Sequence, residues 1–524
     1  MTATDLTRSA VFDEAGLVEA VRAVREPVHI VRERHGGRIG LGVGAAGFPA
    51  GTDLLGISPP SYPEWLGDRA FVEEHGARFP YVAGEMANGI ASTRFVRSLA
   101  EKGMLAFFGA GGLTIDAVGT AVSELVSTLG DRRNWGVNLI HTPDDPAAED
   151  RLATLLITRD VPIVSASAFM AITPAVVRCA AAGLSVDSSG RILRRRKLFA
   201  KVSRPEVAEQ FMSPAPQQIL DHLVSAGELS ETEARMATHI PLAQDVTAEG
   251  DSGGHTDGRP LGVLLPSLLT LRDTLARRLD IAPVRVGAAG GLGTPQSVAG
   301  AFASGAAYVV TGTINQTAVE ANLSEDAKAL LAKADFADVC MAPASDMFEL
   351  GIKLQVLRKG SLFAGRAAQL YETYRSYASL HEIPDERRKT LERTVLGESF
   401  DSAWAATRSY WRDRDAEQVT KAESDPRHLM ALVFRSYLGR AARWAITGEP
   451  TRRNDYQIWC GPVIGAFNRW IDGGFLAVPE NRTAAQIGLN LLEGAAAVSR
   501  AQQFRGFGLA LPSAAFSFTP RRLA

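Results

Sequence analysis

Between residues 79 and 312 eight short apolar runs alternate with seven longer segments of helical periodicity. The runs are 79–84 (FPYVAG), 104–108 (MLAFF), 135–140 (WGVNLI), 161–166 (VPIVSA), 197–202 (KLFAKV), 243–248 (AQDVTA), 284–288 (VRVGA) and 307–312 (AYVVTG). Helical segments near 92–101, 113–129, 147–158, 173–182, 205–238 (broken), 262–280 and 295–304 fill the gaps. Short apolar runs suit strands buried on both faces, and parallel neighbours need a crossover that only a helix-length connection supplies. Eight such strands, with a helix available in every gap, predict an α/β fold, a closed (β/α)8 TIM barrel over 79–315.

The flanks lack this rhythm. Residues 1–35 are charged and helix-prone, and 1–78 is expected to pack on the barrel as an N-terminal segment. Within it RIGLGVGAAGFPAG, 38–51, places Gly42, Gly44 and Gly47 like a dinucleotide fingerprint. Pro49 interrupts the helix such a motif needs, so a packed turn is expected instead. After Ile314 the chain reads as an additional α-helical subdomain, 316–500, followed by a tail, 501–524. Tyr371, Tyr374 and Tyr377 recur near one helical face, a packing stripe, and 384–428 is charged enough to be a solvated helical insertion.

The chain's 56 basic and 58 acidic residues leave a formal charge of -2, which gives no electrostatic footprint for nucleic acid. The three cysteines, Cys179, Cys340 and Cys460, are too far apart in sequence for a metal motif or a disulfide framework, so no metal is expected. The polar start has no apolar signal core, and no run reaches the roughly 18 apolar residues of a membrane helix. A cytoplasmic protein with no membrane partner is the expectation.

Barrels of this kind carry their chemistry on the carboxyl ends of the strands. The loops after strands seven and eight, Gly290-Gly291 and Gly312-Thr313, have little side-chain bulk. Their amides can approach an anion closely, as in a phosphate grip. Strand six runs into Asp251-Ser252-Gly253-Gly254-His255-Thr256-Asp257. There two glycines permit a tight turn, His255 suits proton exchange near neutral pH, and Asp251 or Asp257 is placed to orient its ring. Lys201, at the end of an apolar strand, suits a Schiff base, a cation facing a phosphate or thioester, or a snorkelling side chain. Asn138 suits hydrogen bonding to a flat heterocycle or capping a turn. Met86 offers a soft apolar surface or simply core, and Glu85 a second acid–base group or a surface carboxylate. A phosphate grip, a flat apolar cavity and one histidine together suit flavin mononucleotide, FMN.

These segments also carry a resemblance. FPYVAGEMANGIAS, MLAFFGAGGL, WGVNLIHTP, AKVSRPEVAEQFMSPAP, DSGGHTDGRP, VGAAGGLGTPQSVAGAF, VVTGTINQTAVEA, MAPASDMFELGIKLQVLRKGSLFAGRAAQLY and DYQIWCGPVIGAFNRW resemble the PfaD-type family. These are trans-acting enoyl reductases of polyketide and polyunsaturated fatty-acid synthases, related to the nitronate monooxygenases. The resemblance spans about Pro59 to Arg500. It implies FMN held by Gly290, Gly291, Gly312 and Thr313, with Met86, Asn138, Gly253 and Gly254 also at the cofactor and His255 as the active-site histidine. It further implies NADPH as hydride donor and an acyl carrier protein presenting the acyl thioester. Gln244, Gly250 and Gly258 depart from the family pattern and leave substrate choice open. Two other readings stay open: a nitronate monooxygenase-like flavin enzyme of a small carbon acid, and a non-catalytic interaction module.

Overall fold

The computed structural model describes residues 10–44, 51–143, 145–254, 256–412 and 414–524. The chain divides into two compact units. The first is Met1–Asp251, Thr256–Ala321 and Arg469–Ala524; the second is Ser252–His255 and Asn322–Asn468.

In the first unit eight parallel strands close into a barrel: β1 (Tyr81–Ala83), β2 (Leu105–Phe108), β3 (Trp135–Ile140), β4 (Ile163–Ser167), β5 (Lys197–Val202), β6 (Asp245–Glu249), β7 (Arg285–Ala289) and β8 (Val309–Thr311). They coincide with the eight apolar runs. Each strand pairs with the next in sequence, and β8 pairs with β1, Val309 opposite Tyr81. Helices fill the gaps, and the broken segment 205–238 resolves into Pro205–Met212, Gln217–Ser225 and Glu231–Ala237.

Alternate residues point inward. Val82, Leu105, Phe107, Ile163, Phe199, Tyr308 and Val310 fill the lumen together with Phe71 from helix α1 (Arg69–His75), which precedes the barrel. Asp68 caps α1 by accepting from the Ala70 amide, and Gly76, at φ +60°, ends it. Phe71 stacks on Tyr308 at 4.5 Å, so one short helix plugs the amino-terminal end. Burying a side chain of this size contributes about 1.5–3 kcal/mol.

The plug also carries a charge. His75 is fully buried, and its Nε2–H donates to Asp245 Oδ2 at 2.9 Å. Arg285 donates to both Asp245 oxygens, at 2.7 and 2.9 Å. Burial alone would raise the Asp245 pKa, but His75 and Arg285 beside it hold it below the ordinary aspartate value. Burial lowers the His75 pKa more than Asp245 raises it, so the ring is neutral. Its Nδ1 meets no donor, which a bare lone pair tolerates better than an N–H would.

Around the barrel, the N-terminal segment differs from expectation. Among the described residues of 1–35, helix occupies only Glu14–Arg22, and Val28–Glu33 forms the middle strand of a three-stranded antiparallel sheet with Ile39–Val43 and Thr52–Ser58. Residues 39–43 of the glycine-rich stretch are therefore strand rather than turn, while Gly47 and Pro49 lie outside the described residues. The sheet and helix pack through Val18, Val21, Ile30 and Leu41 against Ala501 and Phe504 of the long C-terminal helix Ala484–Gly506. That helix groups with the barrel, not with the helical unit, because its small residues admit close approach. A Cβ on Gly488 would lie 2.7 Å from Met104 Sδ and 3.1 Å from Tyr81, and one on Gly494 would lie 2.6 Å from Pro295.

The second unit is mainly helical, with Glu325–Leu331, Phe363–Ser376, Asp385–Leu391, Phe400–Arg412, Ala416–Ser424 and Pro426–Thr447. It also holds a β-hairpin, Val339–Pro343 with Lys353–Leu357, where helix was expected. Its core includes Phe348, Phe363, Tyr374, Phe400, Phe434 and Tyr437. Tyr371 and Tyr374 both meet Phe348 at 5.4 Å, so the tyrosine stripe is packing. No helix among the described residues is long and apolar enough to cross a membrane.

The Asp245 network makes stability fall in acid. Below the ordinary histidine pKa the unfolded chain takes a proton that buried His75 refuses, and lower still the Asp245 contribution is lost as pH drops through its depressed folded value. Asp245→Ala, which strands Arg285 and His75, is expected to cost about 3–5 kcal/mol at neutral pH. Urea unfolding of the two proteins measures this, and equal midpoints would refute it.

Candidate active site

The inward parity that fills the lumen with apolar side chains turns polar at the carboxyl ends of the strands. Lys201 follows Phe199 by two residues on β5, so it points the same way, one layer higher. Its Nζ lies 3.0 Å from Glu85 Oε1 and 3.2 Å from Glu249 Oε1. Glu85 follows β1, diametrically across the barrel from β5, and Glu249 ends β6. Ser165 on β4 donates its hydroxyl to the other Glu85 oxygen at 3.3 Å. One ammonium thus ties strands on opposite sides and floors the mouth. Burial disfavours the charged lysine, but Glu249 and Glu85 outweigh it and raise the Lys201 pKa above the ordinary lysine value. A permanently charged amine is not a nucleophile, so the Schiff-base option for Lys201 is set aside.

Asn138, on β3, is opposite Ser165 in register and buried. Its Oδ1 accepts from the Ala110 amide at 2.7 Å, and its amide nitrogen meets no acceptor among the described residues. Met86 is buried, in a loop that interlocks with the loop after β2. A Cβ on Gly109 would fall 1.8 Å from the Met86 carbonyl oxygen, and one on Gly112 would fall 2.2 Å from Asn88 Oδ1. Asn88 itself has φ 57° and donates its amide to the Gly111 carbonyl at 2.7 Å.

The two glycine turns follow neighbouring strands, with Ala289 opposite Val310. Gly290 has φ +93°, and a Cβ there would lie 2.7 Å from the Gly250 carbonyl carbon, so backbone meets backbone between the loops after β6 and β7. Gly291, at φ +72°, and Gly312 each face open space where a Cβ would stand. Thr313 opens a 3-10 turn, Thr313–Thr317, directly after Gly312. The open ground at Gly291 and Gly312 fits an anion that needs close backbone approach.

His255 lies outside the described residues. Its neighbour Asp257 accepts from Arg204 at 2.7 and 2.8 Å and from Ser203 at 2.9 Å, so its carboxylate anchors the loop to the end of β5. The Arg204 hydrogen bond holds the Asp257 pKa below the ordinary value. Gly253 packs against the Cys460 backbone within the second unit, where a Cβ would lie 3.1 Å away, and Gly254 is exposed.

Sequence reading missed one group on the rim. His141, directly after β3, places Nδ1 3.0 Å from Oε2 of the buried Glu149. The four-residue pattern around Glu149, AAED, reads as solvated helix, and only its hydrogen bonds reveal the burial.

The nitronate monooxygenase family model matches residues 70–390, more than half of the chain. The chain belongs to the nitronate monooxygenase family. Within this family its similarity is to the enoyl-reductase domains of polyketide and polyunsaturated fatty-acid synthases. The solved enoyl reductase domain of MlnA, from the macrolactin biosynthesis cluster of Bacillus amyloliquefaciens, is 36% identical with a TM-score of 0.81. The match covers 84% of this chain and 99% of that one. A polyunsaturated fatty acid synthase polypeptide of Thraustochytrium sp. is 41% identical over 466 residues, 87% of this chain and 31% of that protein. Polyketide biosynthesis protein PksE of Bacillus subtilis is 40% identical over 430 residues, 82% of this chain and 56% of that protein. The chain thus spans about a third to just over half the length of these two relatives. Residues 377–456 match a second model, the inserted helical domain of [acyl-carrier-protein] S-malonyltransferase.

Removing the cation at the floor is expected to leave Glu85 and Glu249 uncompensated. Lys201→Met should lower stability by about 3–5 kcal/mol, and adding Glu249→Gln should restore part of it. Urea melts of the single and double variants test this; a double variant weaker than the single would refute the coupling.

Proposed function

We propose that the chain is an FMN-dependent, NADPH-using enoyl reductase that acts in trans on 2-enoyl thioesters carried by an acyl carrier protein. The observation that carries this reading is the similarity to the MlnA enoyl reductase domain along nearly its whole length. The glycine turns after β7 and β8 support it. Gly290, Gly291, Gly312 and Thr313 would hold the FMN phosphate, while Met86, Asn138, Gly253 and Gly254 would line the flavin. Bound FMN, reduced by NADPH, supplies the hydride that adds to the β-carbon of the enoyl thioester.

The chain's own residues then manage charge. As the β-carbon is reduced, negative charge builds on the thioester oxygen. A hydrogen-bond donor there lowers the barrier, and His255 is assigned that place; losing one such donor costs about 3 kcal/mol. Lys201, fixed between Glu85 and Glu249, holds the floor of the mouth together without reacting. The buried lumen beneath it keeps water from the floor. The carrier protein is inferred from the synthase relatives and from the malonyltransferase-like helical segment at 377–456.

The test is anaerobic. The purified protein should show flavin absorbance and consume NADPH with a crotonyl thioester, faster when the acyl group is on a carrier protein. Oxygen-dependent turnover of an alkyl nitronate with no NADPH requirement would establish the monooxygenase reading instead, and a colourless, inert protein the interaction module. Gly312→Ala, where φ is negative, should weaken FMN binding about tenfold or more, a loss of about 1.4 kcal/mol or more, because the added Cβ occupies the open ground. Fluorescence titration with FMN measures it, and unchanged affinity would remove Gly312 from the cofactor site.

A further inference from the structure

His141 stands out among the polar groups that the proposed chemistry leaves unused. It begins the loop after β3, where its amide donates to the Ser167 carbonyl at the end of β4, 3.0 Å away. Its Nδ1 is 3.0 Å from Glu149 Oε2, and the same oxygen accepts the Thr142 amide at 3.1 Å. The Thr173 hydroxyl donates to the other Glu149 oxygen. A carboxylate only accepts, so Nδ1 carries a proton, and Glu149, 3% exposed, has both oxygens occupied. Phe169, just past β4, stacks on the imidazole at 4.9 Å with 23° between the planes. The ring is therefore fixed in both orientation and tautomer. Nδ1 faces the helix Pro146–Thr158 that bears Glu149, so Nε2, on the other edge of the ring, faces away from the helical layer. There it meets no polar group among the described residues and is not sealed from solvent, the side chain keeping 12% of its surface. Of the other charged groups nearby, Arg178 on the helix Pro174–Ala181 spends its charge on Asp150 and Glu228, and the faces contributed by Phe169 and Phe211 are apolar.

That leaves one ring nitrogen open to a ligand or solvent while the other is held. An imidazole whose far nitrogen is held by a buried carboxylate is wired for proton transfer, because the carboxylate fixes the tautomer and stabilises the imidazolium. We propose that His141 is the proton donor to the α-carbon of the substrate, with Glu149 as its positioning residue; this rests on the enoyl-reductase reading. As hydride reaches the β-carbon, the C=C π pair moves onto the α-carbon and thioester oxygen. The α-carbon then takes the proton from Nε2, leaving neutral imidazole still bonded to Glu149, and solvent returns the proton. The hydride comes from NADPH by way of the flavin, so no further reductant is required.

Two measurements test this on the flavin-loaded enzyme. In the first, C2–H exchange of His141 is followed by mass spectrometry of the wild-type protein with and without a saturated acyl-pantetheine thioester. Exchange should slow about tenfold when the thioester binds, since its acyl chain covers Nε2; the same rate in both states overturns the proposal without any variant. In the second, His141→Gln and Glu149→Gln are assayed with crotonyl thioester across pH. His141→Gln should lower kcat by about 10²-fold or more, with KM little changed and the basic limb of the profile gone. Glu149→Gln should lower kcat less and keep that limb. If wild type reduces the thioester and His141→Gln matches it in rate and profile, His141 is not the donor and the reductase reading stands. If wild type reduces no enoyl thioester, that reading fails first.

Discussion

A single ammonium between two carboxylates decides what the inside of this barrel is. Lys201 and Glu85 come from strands on opposite sides, so their 3.0 Å contact spans the lumen, and Glu249 closes the set from β6. Below it the interior is aromatic and aliphatic; above it begin the polar ends that chemistry requires. Moving charge out of water is costly, and it is tolerated here because the opposite charges meet at contact distance and Ser165 satisfies a remaining oxygen. The second buried charge cluster, Asp245 with Arg285 and His75, closes the opposite end with the same logic. The barrel is thus an apolar column with a buried charge cluster at each end.

On that column the loops divide by what fixes them. The loop after β6 is held through Asp257, which is bound to the end of β5 by Arg204 and Ser203. The turn after β7 is held by backbone contact, Gly290 against Gly250. Gly291 and Gly312 are different: no atom lies near where a Cβ would stand, although Gly291, at φ +72°, also has a backbone conformation that favours glycine. Glycine required by packing and glycine kept beside empty space are separate physical cases, and both occur within one short turn.

The barrel was legible because each strand is a compact apolar run and each gap is long enough for a helix. Their position at predicted strand ends then singled out Lys201 and Asn138. The N-terminal sheet was hidden by composition: VHIVRE ends in charges that favour a helical reading, and its partner is rich in glycine. The hairpin at 339–357 was hidden by charged residues in a stretch that otherwise reads as helix. His141 and Glu149 were missed for another reason. Eight residues apart and of opposite expected burial, they meet only once helix Pro146–Thr158 folds back on the strand end, which no local pattern announces. Asp257 reads from sequence as a partner for histidine, and in the structure its carboxylate accepts from Arg204 and Ser203.

The interlocked loops after β1 and β2 divide the rim unevenly. Gly109 sits where any larger residue would strike the Met86 carbonyl, and Gly112 where it would strike Asn88. That arc of the opening tolerates no drift in shape. Relatives that share this barrel must therefore vary in rim shape elsewhere on the circumference, away from this quadrant.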